Sequence, residues 1–348
     1  MRSFTADHIR HQRITPELVS TIRQIGTLAG KEELYAQQSP EVLETLRQVA
    51  VIQSTESSNR IEGVTVPAAR FKELMAKKTR PQNRPEQEVA GYRIALDRIH
   101  TQHTDLKLSP ELILDLHRDL YRFVPNEGGR WKASDNRIVE RLPDGRTRLR
   151  FQPASAVATP KFMRELCKLF VHEREAEAGE PLLTIPAFVL DFLCIHPFTD
   201  GNGRMARLLT LLLLYQAGFN VGRYISLERV IEETKETYYE ALFRSSQRWH
   251  EGEHDLAPWW SYWTGTVLAA YREFAERVGT ITTSRGAKGE MVRNTIVRLG
   301  PVFRISQIEA NCPNVSRPMI RKVLEQLKRQ GKVECIRRGP DAEWRKPG

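Results

Sequence analysis

The spacing of apolar residues along the chain predicts a mainly helical protein. The segment from Thr184 to Ile195 is apolar at most positions, which predicts a buried helix with Pro186 near its start. Pro197 would end that helix, since proline cannot continue the backbone hydrogen-bond ladder. The leucine-rich run from Leu208 to Leu214 predicts a second buried helix, which begins near Arg204. The two helices are therefore joined by a short loop.

Further helical segments are predicted on both sides of this pair. Apolar residues recur at helical spacing in the ranges 40–63, 86–100, 109–123 and 160–173, and a closing helix is predicted from Trp259 to Phe274. A connection rich in proline, lysine and arginine covers residues 64–85. These segments predict an N-terminal helical region over residues 1–105 and a helical core over residues 106–279.

Between residues 128 and 151 the pattern changes and predicts a β-hairpin. Arg137-Ile138-Val139 and the segment Arg148 to Phe151 would form the strands, with Pro143-Asp144-Gly145 at the turn. The preceding segment, Gly128-Gly129-Arg130-Trp131-Lys132, is included in this hairpin. A small hairpin with a purely structural role is the alternative.

The C-terminal residues 288–348 carry most of the positive charge. They hold fourteen Lys or Arg and six Asp or Glu, a net charge of +8 out of +10 for the whole chain. A linker is predicted over residues 280–289, followed by helices over 290–298, 306–311 and 316–330 and a short hairpin over 333–338 and 342–345. This order of elements resembles a winged helix-turn-helix domain over residues 288–348.

That resemblance implies contacts with DNA. Arg317, Arg321 and Lys322 would face the major groove, while Arg337 and Arg338 would lie in the wing. The alternative is a protein-docking or dimerisation module with a solvated basic face.

Other features of the sequence indicate a soluble protein. Residues 1–12 lack the apolar core of a signal peptide, and the run from Leu208 to Leu214 is too short to span a bilayer. We therefore expect a cytoplasmic location and no membrane partner. The four cysteines, Cys167, Cys194, Cys312 and Cys335, show no metal-ligand spacing and suit a reducing compartment.

The loop between the two buried helices concentrates residues that suit the binding of an anion. Gly201-Asn202-Gly203 would present unobstructed N–H groups at the start of a helix, where the helix dipole favours negative charge. Arg204 and Arg207 lie three residues apart in the first turn, where positive charge is disfavoured unless an anion is bound. The combination predicts a site for a polyphosphate.

Two further side chains of this loop suit catalysis. Asp200 offers a hard oxygen ligand for the Mg²⁺ that normally accompanies phosphates. His196 suits a general base that takes a proton from an attacking hydroxyl. Each residue alone would be an ordinary capping or solvated side chain, but the set together favours transfer from a nucleotide donor.

The segment from His196 to Arg207 resembles the signature HPFx(D/E)GNGRxxR of the Fic (filamentation induced by cyclic AMP) family at every fixed position. The resemblance covers roughly residues 110–265 and implies a mainly helical Fic core with a hairpin flap. It implies a protein adenylyltransferase, which attaches AMP from Mg-ATP to a Ser, Thr or Tyr hydroxyl of a target protein, or of itself.

Carried onto this chain, the resemblance implies a role for each residue of the loop. His196 would be the base and Asp200 the Mg²⁺ ligand. The segment from Gly201 through Asn202 to Gly203 would cradle the phosphates. Arg204 would clamp a phosphate, and Arg207 would hold the terminal phosphate.

An upstream segment resembles the inhibitory motif (S/T)xxxE(G/N) of the same family. It runs from Ser58 to Gly63 at the end of a predicted helix, about residues 41–63. The resemblance implies that Glu62 pairs with Arg207 and so keeps the γ-phosphate from its position, because a carboxylate and a phosphate compete for one guanidinium. An ordinary exposed helical glutamate is the alternative.

Two more segments fit the family. The predicted hairpin resembles the Fic flap, whose exposed strand edge would align a target segment; its candidate residues are Gly129, Arg130, Trp131, Ile138 and Val139. Tyr238 and Tyr239 resemble the aromatic segment that borders the adenine, although a tyrosine pair is otherwise usually part of a core.

Other functions stay open from the sequence. The chain could be a DNA-binding regulator that uses the nucleotide loop as a sensor, or a Fic enzyme that removes AMP or transfers another phosphate-linked group. A homodimer is one alternative for the oligomeric state.

Overall fold

The computed structural model describes residues 1–347 except 6, 39, 126, 142–145, 177–178, 280–286 and 313–314. Four helices form the N-terminal region: α1 Pro16–Gln38, α2 Pro40–Ile61, α3 Ala68–Met75 and α4 Arg84–Gln102. They are followed by α5 Pro110–Leu120, a hairpin of β1 Ile138–Arg141 and β2 Thr147–Phe151, α6 Thr159–Glu175, α7 Pro181–Ile195 and α8 Asn202–Gln216. The last helices of this body are α9 Leu227–Glu233, α10 Lys235–Ser246 and α11 Ala257–Gly279.

Helices α7 and α8 lie at the centre of the core. Leu208, Leu209 and Leu211 to Leu214 are each at most 1% exposed, as expected for a helix surrounded by other helices. The mainly helical fold class is thereby confirmed. Helix α7 starts earlier than predicted, at Pro181, because the Glu180 carboxylate accepts a hydrogen bond from the Leu182 N–H and caps the helix.

The N-terminal region supplies α2, which packs against α4, α8 and α9. The helix ends at Ile61, and Gly63 follows with a φ of 80°, a left-handed conformation that glycine adopts without strain. The connection over residues 64–85 is partly helical, which the sequence did not predict. It contains α3, because Phe71, Leu74 and Met75 bury their side chains against Val89 of α4.

Residues after 286 form a C-terminal module with its own apolar core. Its elements are α12 Ala287–Arg298, β3 Val302–Arg304, α13 Ile305–Asn311, α14 Arg317–Arg329, β4 Glu334–Arg337 and β5 Glu343–Arg345. The strands form an antiparallel sheet in the order β3-β5-β4, so β3 adds a strand that the sequence did not predict. The winged-helix interpretation stays a prediction.

The candidate DNA contacts of the C-terminal module divide into two groups. Arg321 and Lys322 of α14 are exposed, as are Arg337 and Arg338. Arg317 instead pairs with Glu309 of α13 at 3.5 Å and donates to the Pro340 carbonyl. Because these contacts tie α14 to the hairpin, Arg317 serves within the module in this structure.

None of the described helices combines the length and the apolar character that crossing a bilayer requires.

Candidate active site

The loop between α7 and α8 begins and ends with left-handed residues. His196 caps the C-terminus of α7 with φ 51° and ψ 61°, a conformation uncommon for a residue with a Cβ atom. Gly201 precedes α8 with φ 83°, and a Cβ atom there would press on the Tyr121 ring. The sharp turn brings the imidazole and the start of α8 to the wall of one pocket, which His196 and Gly203 both line.

The Asn202 side chain fixes the shape of this loop. Its Oδ1 atom accepts from the Phe198 N–H at 2.9 Å, and its Nδ2 atom donates to the Phe198 carbonyl at 2.7 Å. Asn202 is 3% exposed, so both bonds are shielded from water. The side chain therefore holds the loop and does not face the pocket, which leaves only the backbone N–H of Asn202 for an anion.

Lys132 braces the loop from the other side. Its buried Nζ atom donates to the carbonyls of Ala154 and Ile195 at 2.6 and 3.0 Å, and to Asn136 Oδ1 at 2.9 Å. Asn136 in turn donates to the carbonyls of His196 and Phe198. Burial lowers the pKa of Lys132 to about 8. The lysine thus connects the end of α7 with the loop that carries the imidazole.

His117 of α5 holds the loop through a hydrogen bond to Asp200 and a stacking contact with Phe198. Its Nδ1 atom accepts from the Gly129 N–H at 3.0 Å, so the ring proton is on Nε2, which donates to the Asp200 carbonyl at 3.1 Å. The ring stacks on Phe198 with the centroids 3.6 Å apart. Burial lowers the pKa of His117 to about 4, which keeps the ring neutral at physiological pH.

His196 has the geometry of a general base. Its Nδ1 atom lies 3.3 Å from the Leu193 carbonyl, to which only a protonated nitrogen can donate. That contact leaves the lone pair on Nε2, for which no hydrogen-bond partner is found in the described part of the chain. Burial, with the nearby Lys132 charge, lowers the pKa of His196 to about 4 despite the Leu193 contact. The half-buried imidazole is therefore neutral and able to accept a proton.

Arg204 points away from this pocket. It is 1% exposed, pairs with Glu88 of α4 at 2.6 Å and donates to the Tyr121 hydroxyl at 2.8 Å. Its guanidinium is thereby neutralised behind the loop, and it is not among the residues that line the pocket. The structure thus gives Arg204 a carboxylate partner that the sequence did not reveal, and its contact with a phosphate stays a prediction.

Arg207 contacts the end of α2 instead. Its Nη2 atom lies 2.8 Å from Glu62 Oε1 and donates also to the Ser58 carbonyl, while its Nε donates to the Ser58 hydroxyl. Burial alone would lower the pKa of Arg207, but the Glu62 carboxylate raises it above its ordinary value. The structure therefore brings Arg207 next to Ser58 and Glu62, which precede it in the sequence by 149 and 145 residues.

The Glu62 carboxylate also covers the backbone at the start of α8. A Cβ atom at Gly203 would overlap Glu62 Oε1, and it would lie 3.3 Å from Arg207 Nη1. This Nη1 atom is buried and has no hydrogen-bond partner among the described residues. An unpaired guanidinium donor beside a glycine at a helix N-terminus fits an anion, and Glu62 already places a carboxylate there.

Asp200 is the candidate metal ligand. Its side chain is 55% exposed, and its Oδ2 atom lies 3.6 Å from both Arg84 and Arg204. Burial acts to raise the pKa of Asp200, but Arg204, Tyr121 and the Gly201 N–H together lower it. No cluster of three or more His, Cys, Asp or Glu suited to a metal ion is found among the residues described. A single exposed carboxylate fits Mg²⁺ that is held mainly by phosphates and water.

The pocket beside His196 has a volume of about 400 Å³, within the range of small-ligand sites. Tyr238 and Tyr239 of α10 line it, together with Leu242 and Phe243, so the tyrosine pair does lie next to the loop. Tyr238 is buried, and burial raises the pKa of Tyr239 to about 12. The wall can therefore offer neutral aromatic surface to a flat ligand.

The hairpin borders the same pocket. Ile138 and Val139 of β1 line it, and Val139 is 52% exposed. In the described part of the chain β1 pairs with β2 alone, which leaves its outer edge available to an extended peptide. The predicted turn, residues 143–145, lies outside the described residues.

The segment before the hairpin is not part of it, contrary to the prediction. Trp131 stacks near Phe198 with ring centroids 5.2 Å apart, while Gly129 donates to His117. Arg130 between them is exposed. The segment forms a loop because these contacts hold it against the loop of His196, so it supports the site and supplies no strand.

Helix α2, which ends directly before Glu62, is anchored about one turn before Ser58. Ser54 donates to the buried Glu228 carboxylate at 2.7 Å, and the Tyr92 hydroxyl donates to the same carboxylate at 2.9 Å. Because Ser54, Tyr92 and Glu228 come from α2, α4 and α9, this network fixes α2 to the core.

Several residues of the site were missed from the sequence. His117 follows Leu116 on an amphipathic helix, where a histidine looks like an ordinary boundary residue. Glu88 and Ser54 also carry no local signal. Lys132 was noted only as part of the hairpin, and a lysine two residues after Arg130 gives no sign of burial.

Known proteins resemble this chain over its middle part. Residues 107–214 match the model of the Fic/DOC family. Proteins named protein adenylyltransferase Fic, from Drosophila persimilis and Drosophila grimshawi, are 25% identical over 223 residues and 27% identical over 178 residues. These matches cover 62% and 49% of this chain but 42% and 34% of those proteins. The chain therefore spans less than half the length of these relatives.

Solved structures resemble it in fold. A Fic family protein from Desulfovibrio desulfuricans G20 has a TM-score of 0.63 and 24% identity, with 97% of both chains covered. A Fic domain containing signaling protein from Bacteroides thetaiotaomicron VPI-5482 has a TM-score of 0.59 and 22% identity, over 72% of this chain and 94% of that one. These likenesses support the fold and carry no residue roles.

Proposed function

We propose that the chain is a protein adenylyltransferase of the Fic/DOC family, because residues 107–214 match the model of that family and the mainly helical fold is similar to a solved Fic family protein. It would transfer AMP from ATP to a hydroxyl group of a protein, and Glu62 would restrain that transfer. The observation that carries the proposal is the pairing of Glu62 with Arg207 above Gly203, at the site expected to hold the nucleotide phosphates.

The reaction follows from the groups around the pocket. Nε2 of His196 accepts the proton of the acceptor hydroxyl, whose oxygen attacks the α-phosphorus of ATP. A new bond forms between that oxygen and phosphorus, the bond from phosphorus to the bridging oxygen breaks, and pyrophosphate leaves. Mg²⁺, held by Asp200 and the phosphates, would offset the charge on the departing pyrophosphate.

The surrounding residues position the reactants. The N–H groups at the start of α8 and the unpaired Nη1 atom of Arg207 would hold the phosphates. Tyr238 and Tyr239 would contact the base of the nucleotide. The free edge of β1 would pair with an extended segment of the target and bring its hydroxyl toward His196.

Glu62 would act as a brake because it occupies the guanidinium that the terminal phosphate needs. A carboxylate and a phosphate oxygen cannot share one fork, so ATP would bind with its phosphates displaced from the reactive arrangement. The network of Ser54, Tyr92 and Glu228 favours the restrained state, since it holds α2 against the core.

The test compares two glutamates of the same segment. Glu62→Gln removes the charge that pairs with Arg207, so incorporation of AMP from labelled ATP should rise at least tenfold. Glu56→Gln is the matched control, because Glu56 pairs only with Arg60 near the surface and should leave the rate unchanged. Adding His196→Ala to Glu62→Gln should abolish incorporation. Equal rates for the native protein and Glu62→Gln would contradict the brake, and retained transfer without His196 would contradict the mechanism.

A second function is favoured by the surface of the C-terminal module. Arg321, Lys322, Arg337 and Arg338 are all exposed on α14 and around β4. We propose that these four residues contact DNA, separately from transfer, with Arg317 excluded because it holds the module together.

A further inference from the structure

A second pocket lies where the C-terminal module meets the body of the protein. We call it the junction pocket; it has a volume of about 640 Å³. Its walls come from α2, α9 and α11 on one side and from α12 and α13 on the other. It is separate from the pocket beside His196, and nothing in the transfer reaction uses it.

Three arginines of the junction pocket converge on a single carboxylate. Glu273 of α11 contacts Arg229, Arg277 and Arg298, the last at 3.0 Å. Arg229, Arg277 and Glu273 are only 16–20% exposed, so solvent screens them weakly. Arg229 also pairs with Glu233 at 2.6 Å, and Arg298 pairs with Glu276 at 3.8 Å. With Arg272, the lining of the pocket holds four arginines against three glutamates.

The lining of the junction pocket therefore has a net positive charge of one. Glu233 and Glu276 lie at the rim with side chains 60% and 74% exposed, where water screens their charges. The Nε atom of Arg229 is buried and lacks a hydrogen-bond partner among the described residues. In addition, burial and the neighbouring arginines lower the pKa of Arg277 to about 10, even though Glu273 opposes the shift. A further anion would relieve this crowding.

The remaining lining of the junction pocket is partly apolar. Leu46 and Val49 of α2 belong to it, as do Met291 and Leu299 of the C-terminal module. A ligand that suits this lining has an anionic group and an apolar or flat body. Three guanidiniums offer more donors than the two oxygens of a carboxylate can accept, which favours a phosphate group.

We propose that the junction pocket binds a small organic phosphate, and that the bound ligand strengthens the restraint on transfer. The second half of this proposal rests on the proposed function, while the binding site stands on the geometry of the pocket alone.

The link between the two sites runs through α2 and α9. Leu46, Val49 and Gln53 of α2 face the junction pocket, and Gln53 donates to Asn311 of the C-terminal module at 3.0 Å. The same helix ends at Ile61, about 12 Å beyond Gln53, and Glu62 follows directly. On α9, Arg229 lines the pocket while its neighbour Glu228 holds Ser54. The pocket is formed in the state in which Glu62 pairs with Arg207, so a ligand that fits it stabilises the restrained state.

Binding is tested by calorimetry on the full-length protein with phenyl phosphate, which joins a phosphate to a flat apolar ring. We expect saturable binding, with benzoate binding about tenfold more weakly because it accepts fewer hydrogen bonds. Arg298→Gln should weaken phenyl phosphate binding about tenfold. Arg293→Gln is the matched control, because Arg293 lies on the same helix but contacts Gln326. Thermal unfolding of both variants checks that they remain folded.

The effect on transfer is measured with labelled ATP. Saturating phenyl phosphate should lower AMP incorporation by the native protein severalfold, and Glu62→Gln should abolish this inhibition while binding persists. No binding, or equal binding by native protein and Arg298→Gln, overturns the site. Binding without inhibition of an active native protein overturns the coupling alone. If Glu62→Gln transfers no AMP, the proposed function fails, whereas the calorimetry still decides the pocket.

Discussion

Replacing Lys132 with methionine would separate the stability of this protein from its activity. Methionine keeps most of the volume of lysine but donates no hydrogen bonds. The substitution removes the contacts of Nζ with Asn136 and with the carbonyls of Ala154 and Ile195. The segment that positions His196 then loses its brace, although His196 itself is unchanged.

The effect on stability follows from two opposing contributions. Burial lowers the pKa of Lys132 from 10.5 to about 8, and a shift of that size means that the buried ammonium costs about 3 kcal/mol at pH 7. The substitution removes this penalty, but it leaves two carbonyl groups unpaired at about 1–3 kcal/mol each. We therefore expect a change in the free energy of unfolding at pH 7 between a gain of about 1 kcal/mol and a loss of about 3 kcal/mol.

The sign of the pH dependence gives a sharper test. Between pH 8 and pH 10.5 the unfolded state binds a proton at Lys132 that the folded state has released, so the native protein gains stability as the pH rises. Lys132→Met cannot gain it, so urea unfolding at pH 7.5 and pH 10 should show a difference between the two proteins that changes by about 2–3 kcal/mol. The control is Lys161→Met, since Lys161 is 70% exposed.

The effect on activity should be large. A catalytic group displaced by about 1 Å can lower a rate on the order of a hundredfold, so Lys132→Met in the Glu62→Gln background should lower AMP incorporation 10- to 100-fold. Calorimetric ATP affinity should change little, because Lys132 is not among the residues that line the pocket. Full transfer by Lys132→Met, or the same pH dependence of unfolding in both proteins, would refute this role of the lysine.

Three further predictions follow. Asn202→Ala leaves the buried N–H of Phe198 unpaired and its carbonyl bonded to Asn136 alone, so urea unfolding should show a loss of about 2 kcal/mol, and transfer should fall with it; an unchanged rate would mean that the loop keeps its shape without this side chain. The pKa of His117 is about 4 when folded and 6.5 when unfolded, so its contribution to stability is lost as the pH falls through that window; unfolding at pH 7 and pH 4.5 should show a smaller difference in His117→Gln by roughly 2–3 kcal/mol. Duplex DNA binding should weaken steeply with salt, and Arg321→Gln with Lys322→Gln should flatten that dependence; a salt-independent affinity would contradict DNA contact.

The helices of the core were predictable because their patterns are local. The run from Leu208 to Leu214 is apolar on every side, so it could only be a buried helix, and α8 places it at the centre of the fold. The region around α3 was missed for the opposite reason. Phe71, Leu74 and Met75 form a helix because Val89 offers them an apolar surface, and that contact is invisible in a short window dominated by charged residues.

For the site, the sequence likewise predicted the local features and missed the tertiary contacts. The spacing from His196 to Arg207 specified a base, a carboxylate and a helix start, and these do lie together at one loop. The directions of the side chains were not specified. Arg204 and Arg207 lie three residues apart near the start of α8, yet Arg204 pairs with Glu88 of α4 and Arg207 pairs with Glu62 at the end of α2.

By itself the sequence determined the buried helix pair, the residue types of the loop between them and the basic character of the C-terminal module. Tertiary structure alone decided which arginine faces which carboxylate, how Lys132 and His117 hold the loop, and that a cationic pocket lies at the junction with the C-terminal module. The physical reason is the distance along the chain between the residues that determine each property. Helix formation and turn geometry depend on neighbours a few residues away, whereas burial, charge pairing and pKa values depend on residues that only the folded chain brings together.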